Sequence, residues 1–164
     1  RIQRLLSRGS RTAKSGDFLR LLIVDSDPKS LVLTATILHQ RGLQVYLADS
    51  IESAIERFPD TQPSAIIADI TSSPEDVQQL ATRLGEQHDI SNIPFVLLNT
   101  PDQENLSLSF FPANVAGQLT KPLDLIRFPD QIESILRLPS SATRLDCSLE
   151  HLNAEIQRVM QPDD

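Results

Sequence analysis

The stretch "LLIVDSDP", residues 21–28, joins four apolar residues to a short acidic segment that ends in a proline. A strand that is apolar at every position is covered on both faces, as in a parallel sheet. The carboxyl ends of such strands form the edge at which α/β sheets hold their sites. Asp25 and Asp27 therefore stand where acids could bind a cation, take part in phosphoryl chemistry or cap the following helix.

Length and charge limit what the chain can be. The 164 residues, 40% of them hydrophobic, suffice for one ordinary domain with extensions. Residues 1–16 carry five basic residues and no acid, so the remainder holds 10 bases and 22 acids, a net charge of −12. This balance argues against direct nucleic-acid binding by the body. We interpret the basic segment as a solvated tail or the end of an upstream helix, although it could also touch phosphate or membrane lipid.

The composition also indicates a compartment. Cys147 is the single cysteine, which excludes a disulfide framework and favours a reducing environment. No apolar run approaches the roughly 18 to 20 residues needed to cross a bilayer, and the start lacks the apolar core of a signal peptide. We therefore expect a cytoplasmic protein without a membrane partner. Because the sequence begins at Arg1 rather than at a methionine, we also expect it to be a piece of a longer polypeptide.

Short apolar runs alternate with helical patterns, which predicts strands joined by crossover helices. The predicted strands are residues 19–24, 43–48, 64–70, 93–99 and 115–120. The first helix begins with Asp27 as cap and Pro28 in its first turn, and it stops at Gly42. Residues 101–114 have weak periodicity, so any helix there is short or irregular. With right-handed crossovers, these elements predict an α/β fold, a flavodoxin-like doubly wound sheet of five parallel strands in the order 2-1-3-4-5 with flanking helices.

The pattern divides the chain into three parts. Residues 1–16 form a basic N-terminal helical extension, residues 17–138 form the domain, and residues 139–164 form a linker and a C-terminal connector helix. In this last part apolar residues recur at alternating spacings of four and three, which is a seam of two heptads; they are Leu145, Leu149, Leu152, Ile156 and Val159. A homodimer contact, a connector helix and a helix folded back on its own domain all remain open.

Polar residues follow three of the predicted strands. In the order 2-1-3-4-5, strands one and three are neighbours, so Asp25 and Asp69 should face each other across the carboxyl edge. Lys121 follows the fifth strand and belongs to the same edge. We therefore predict that two acids and one lysine, each from a separate strand, meet there.

The segment from about residue 20 to residue 138 resembles the response-regulator receiver domain of two-component signalling, in the CheY-like superfamily. The resemblance is carried by "LLIVDSDP" (21–28), "AIIADI" (65–70), "IPFVLLN" (93–99) and "LTKP" (119–122). It implies a signalling domain rather than an enzyme, apart from weak autophosphatase activity. Its partners would be a histidine kinase or phosphotransfer protein and a neighbouring domain of a larger regulator.

The resemblance also assigns roles to residues. Asp69 would accept a phosphoryl group from a phosphohistidine, and Lys121 would pair with the acid and then with the phosphoryl group. A Mg²⁺ ion would be held by Asp25, Asp69 and the backbone carbonyl of Thr71. Asn99 occupies the position at the end of the fourth strand that takes part in the conformational switch.

The sequence departs from the family at several of these positions. Ser26 stands where the family has a second acid, so Mg²⁺ affinity should fall; Asp27 could compensate, although a plain helix cap is favoured. Asn99 replaces a Ser or Thr, and Gln118 replaces a Tyr or Phe. A working phosphoacceptor is slightly favoured over a pseudo-receiver that serves only as a docking module. A doubly wound hydrolase or nucleotide-binding domain is disfavoured, since the chain has no Gly-rich phosphate loop and no nucleophile elbow.

Overall fold

The computed structural model describes residues 19–69, 74–103, 114–121, 123–136 and 149–160. Strands and helices alternate along the chain. The strands are β1 (Arg20–Val24), β2 (Gln44–Ala48), β3 (Ala65–Asp69), β4 (Pro94–Asn99) and β5 (Asn114–Thr120). The helices are α1 (Pro28–His39), α2 (Ile51–Thr61), α3 (Pro74–Gln87), α4 (Phe128–Leu136) and α5 (Leu149–Met160), with a short 3-10 turn at Pro101–Gln103.

The five strands form one parallel sheet in the order β2-β1-β3-β4-β5, which confirms the predicted doubly wound fold. Successive side chains of β1 pack into hydrophobic cores on opposite faces of the sheet, because side chains alternate between the two faces of a strand. Leu21 and Ile23 pack with residues of α1, α4 and α5, whereas Leu22 packs on the opposite face with residues of α2 and α3. Helices on both faces explain why this strand is apolar throughout.

The first helix begins as the sequence predicts. The side chain of Asp27 accepts a hydrogen bond from the backbone N–H of Lys29 at 3.2 Å, and Pro28 fills the first helical position. Gly42, in the turn that follows α1, has a φ of 79°, a left-handed conformation that glycine adopts without a steric penalty. These local signals position β1 and α1 so that Asp25 lies between them.

The second helix is longer than its pattern suggested. The sequence pattern "SIESAIERF" (50–58) predicts a helix that ends at Phe58, but α2 continues through Pro59 to Thr61. A proline this close to the end of a helix removes only one late hydrogen bond. Phe58 and Thr61 are both buried, so packing holds the final turn, and Gln62 closes it in a left-handed conformation with a φ of 44°.

The C-terminal helix α5 packs on its own domain, against β2 and α1. Of the arrangements that the sequence left open, the folded-back helix is therefore the one that the structure contains. Leu152 and Val159 are buried in the core shared with α1, while Leu149 is 62% exposed. Leu145 of the predicted seam lies outside the described residues, as do residues 1–16 and the linker at residues 139–148.

Candidate functional site

Three charged side chains meet at the carboxyl edge of the sheet. Asp25 follows β1, Asp69 ends β3 and Lys121 follows β5. The Lys121 ammonium contacts Asp69 Oδ2 directly, and its Nζ lies 3.8 Å from Asp25 Oδ2. Both carboxylates are buried. The structure thus brings together the three residues for which strand order predicted a meeting.

Backbone pairing accounts for this convergence. Val24 pairs in register with Ala68, so the residues that follow them, Asp25 and Asp69, emerge side by side from neighbouring strands. On the other side, the Lys121 N–H donates to the carbonyl oxygen of Asn99 at 2.7 Å, which extends the pairing of β4 and β5 by one residue. The lysine therefore starts from a fixed point on the same edge.

Asp25 experiences an unfavourable environment for its charge. Burial raises the pKa of Asp25 to about 6, and the charge of Asp69 acts in the same direction, whereas hydrogen bonds from the Asp27 N–H and the Ser30 hydroxyl oppose the rise. The Asp27 N–H donates to Asp25 Oδ1 at 2.9 Å, but Oδ2 has no hydrogen-bond partner within the described residues. A buried carboxylate oxygen without a donor favours the approach of a cation.

Ser30 is a site residue that the sequence analysis missed. It lies in the first turn of α1, and its Oγ is 3.5 Å from Lys121 Nζ. Because its hydroxyl also hydrogen-bonds to Asp25, it touches two of the three charged groups. The signal that could have found it is its place three residues after the cap Asp27, in the helical turn that adjoins the strand end.

The residues fit a divalent cation held mainly by two carboxylates. Mg²⁺ takes oxygen ligands and keeps several waters, which suits Asp25 and Asp69. Ser26 and Asp27 are exposed, and Asp27 caps α1, as the favoured interpretation had it. Among the described residues there is no cluster of three or more His, Cys, Asp or Glu able to hold a metal ion, and Thr71, whose carbonyl was a predicted ligand, lies outside them.

The family profile of the response regulator receiver domain matches residues 21–133 of this chain. The chain belongs to the response regulator receiver family. Protein PilH of Pseudomonas aeruginosa is 27% identical over 105 residues, which cover 64% of this chain and 87% of PilH. The transcriptional regulatory protein TrcR of Mycobacterium tuberculosis is 26% identical over 129 residues, covering 79% of this chain and 49% of TrcR.

Other matches extend the family context. The hybrid signal transduction histidine kinase D of Dictyostelium discoideum is 21% identical over 140 residues, which are 85% of this chain but 9% of that kinase. Among solved structures, a two-component response regulator from Clostridium difficile superposes with a TM-score of 0.60 at 23% identity, covering 72% of this chain and 95% of that one. A receiver domain protein from Clostridium thermocellum gives a TM-score of 0.60 at 14% identity, covering 73% and 95%. These superpositions support the receiver fold.

Two residues at which this receiver domain differs from the family pattern are in contact with each other. The Asn99 side chain, at the end of β4, is completely buried, and its Nδ2 donates to Gln118 Oε1 of β5 at 2.7 Å. Each residue stands out in the sequence as a departure from the family pattern, but the sequence does not predict the bond between them. Sequence spacing gives no sign of it, because the bond depends on the register in which β4 and β5 pair, and that register shifts between Phe95 and Val96.

No helix within the described ranges combines the length and the apolarity that crossing a bilayer requires.

Proposed function

We propose that this receiver domain accepts a phosphoryl group on Asp69 from the phosphohistidine of a histidine kinase or phosphotransfer protein, and that it thereby regulates a neighbouring domain or partner. The observation that carries the proposal is the convergence of Asp69, Lys121 and Asp25 from three separate strand ends. The occurrence of relatives named as a transcriptional regulator and a hybrid histidine kinase supports this class of partner.

The transfer is a displacement at phosphorus. A carboxylate oxygen of Asp69 forms the new P–O bond while the P–N bond to the imidazole breaks, and the leaving nitrogen keeps the electron pair and takes its proton from solvent. Lys121 already lies against Asp69, so its ammonium needs little movement to neutralise charge on the incoming phosphoryl oxygens. The negative charge of Asp25, 3.8 Å from Lys121 Nζ, attracts the ammonium and helps to hold it in place.

Asp25 and Asp69 are the side chains that would hold Mg²⁺, and the ion, when bound, would neutralise charge on the phosphoryl oxygens. The hydroxyl of Ser26 carries no negative charge where the family has a carboxylate. We therefore propose a weakened Mg²⁺ site, so that phosphorylation requires a higher Mg²⁺ concentration than a site with two adjacent acids would.

Acetyl phosphate supplies a direct test. The full chain is incubated with acetyl phosphate over a range of Mg²⁺ concentrations, and its intact mass is recorded. We expect the mass of one phosphoryl group to be added in the wild type and in Asp60→Asn, a control at an exposed acid of α2, but not in Asp69→Asn. The subsequent loss of the added mass after removal of acetyl phosphate would measure the autophosphatase rate.

A second function, phosphorylation-independent docking, is favoured by one observation. The positive charge of Lys121 already balances the negative charge of the buried Asp69 carboxylate, so the folded structure needs no phosphoryl group at this position. A pseudo-receiver would gain no mass at any Mg²⁺ concentration, and the Asp69→Asn variant would bind its partner as the wild type does. Mass gain that disappears in Asp69→Asn excludes this second function.

A further inference from the structure

A cavity of about 490 Å³ lies at the amino edge of the sheet, opposite to the phosphoacceptor site. It opens between the end of α2, which precedes β3, and the segment that joins α3 to β4. A volume of this size is typical of sites that bind another molecule. The residues that line the cavity are Phe58, Pro59, Gln62, Pro63, His88, Asp89 and Ile93.

Most of the cavity wall is apolar. The rings of Phe58 and His88 are in contact, with their centroids 4.7 Å apart, and Pro59, Pro63 and Ile93 add aliphatic surface. Apolar surface gains free energy when it leaves water. The cavity therefore suits aliphatic side chains better than a hydrated ion.

The charge at the cavity is negative. Among the described residues that line it, Asp89 is the only acid, and none is Lys or Arg. The hydroxyl and the N–H of Ser91 donate to Asp89 Oδ1 at 2.7 and 3.1 Å, and these bonds lower the pKa of Asp89. Asp60, next to Pro59, is also exposed. The cavity therefore favours an occupant that surrounds apolar side chains with positive charge.

The chain itself carries a segment with this chemistry. Within residues 1–16, the apolar residues Ile2, Leu5 and Leu6 have the spacing of one face of a helix, and the segment contains five bases and no acid. Amphipathic helices commonly bind by laying such a face into an apolar groove. Residues 1–16 themselves lie outside the described residues.

This segment joins the domain beside the cavity. Arg20, the first residue of β1, donates from its Nε to the carbonyl oxygen of Gln62 at 3.2 Å, and its own carbonyl accepts from the Ser64 N–H at 2.7 Å. Gln62 and Ser64 flank Pro63 of the wall. Residues 7–18 span up to about 40 Å when extended, which is ample for the chain to turn back. A tether of this length also gives the segment a high effective concentration at the cavity.

We propose that the cavity at the amino edge binds the start of this chain, with the side chains of Leu5 and Leu6 against the apolar wall and the neighbouring arginines beside Asp89. The docked segment then fixes the direction from which the polypeptide enters the domain. Because the cavity and Asp69 lie at opposite edges of the sheet, this inference is independent of the phosphoryl transfer proposed above.

A spin label on the segment tests whether it occupies the cavity. In the full chain, Cys147→Ser removes the native thiol and Ser7→Cys carries a nitroxide. Backbone amide signals are then recorded by nuclear magnetic resonance with the label oxidised and reduced. We expect the oxidised label to remove most of the intensity of the Gln62, Asp89 and Ile93 signals.

A matched pair of variants in the segment separates docking from a solvated tail that only passes the cavity. Leu5→Asp combined with Leu6→Asp should restore the three signals, because a charged side chain is costly to place in an apolar cavity. Ser10→Asp combined with Thr12→Asp adds the same charge outside the apolar face and should leave the signals broadened. Equal broadening in both double variants would overturn the proposal, as would the absence of broadening in the labelled chain.

A second pair of variants tests the cavity side. Asp89→Lys reverses the charge beside the wall and should weaken the broadening of the Gln62 and Ile93 signals. Glu150→Lys makes the same change at an exposed acid of α5 and should have no effect. An Asp89→Lys variant that behaves like Glu150→Lys would show that the negative charge at the cavity does not hold the segment, against the proposal. Neither measurement involves phosphoryl transfer, so failure here leaves the proposed function intact.

Discussion

Glu155 is a buried acid that joins the C-terminal helix to the edge of the sheet. Its carboxylate accepts bonds from both guanidinium Nη atoms of Arg57, at 2.6 and 2.7 Å, and from the Leu47 N–H at 2.8 Å. Gln44 and Ala48 direct backbone groups toward β1, so the Leu47 groups point outward from the sheet. Glu155 thus supplies the partner that a further strand would otherwise provide.

We predict that Glu155→Ala lowers the free energy of unfolding by about 3 kcal/mol. Breaking a buried ion pair by removing one partner typically destabilises by about 3 to 5 kcal/mol, and an unsatisfied buried N–H accounts for about 1 to 3 kcal/mol. These two effects overlap and are not added. The lower end of the range for a broken ion pair applies, because the Arg57 side chain is 20% exposed and keeps its hydrogen bond to the Leu47 carbonyl at 2.9 Å.

Urea denaturation at neutral pH measures this loss. Glu150→Ala is the matched control, because Glu150 lies in the same helix but is exposed, and it should change stability by no more than about 0.5 kcal/mol. Glu155→Gln, which can still accept from Leu47 N–H, should fall between the two. If Glu155→Ala proved no more destabilising than Glu150→Ala, the argument that this acid fastens α5 to β2 would be wrong.

Three further predictions concern charge. The pKa of Asp25 in the folded protein is about 6, above its ordinary 3.8, so the contribution of Asp25 to the free energy of unfolding is most favourable at low pH and is lost as pH rises from about 4 to about 6. Asp25→Asn should therefore be more stable than the wild type at pH 7, by roughly 2 to 3 kcal/mol. A less stable variant in urea titrations would contradict this. Lys121→Ala should slow mass gain from acetyl phosphate at least about tenfold, with an unchanged rate as the opposing result. Arg83→Ala removes an exposed pair with Glu52, so the free energy of unfolding measured in urea should change by no more than about 0.5 kcal/mol; a larger loss would contradict this.

The sequence by itself determined the fold and the charged centre of the site. Both follow from local patterns: an apolar run such as Leu21–Val24 must be covered on both faces, and Asp27 with Pro28 begins a helix whatever lies elsewhere. Once the strands were identified, the order 2-1-3-4-5 placed Asp25 beside Asp69 without any knowledge of side-chain contacts. Periodicity and strand-end position therefore sufficed for this part of the molecule.

Only the tertiary structure decided which side chains pair across long distances in the chain. The seam of α5 suited a dimer or the domain itself equally well, and the buried bond between Glu155 and Arg57, 98 residues apart, distinguishes them. The bond between Asn99 and Gln118 likewise depends on the register of β4 and β5. Such pairs leave no periodic trace, because a hydrogen bond depends on atoms meeting within about 3 Å and with the right orientation.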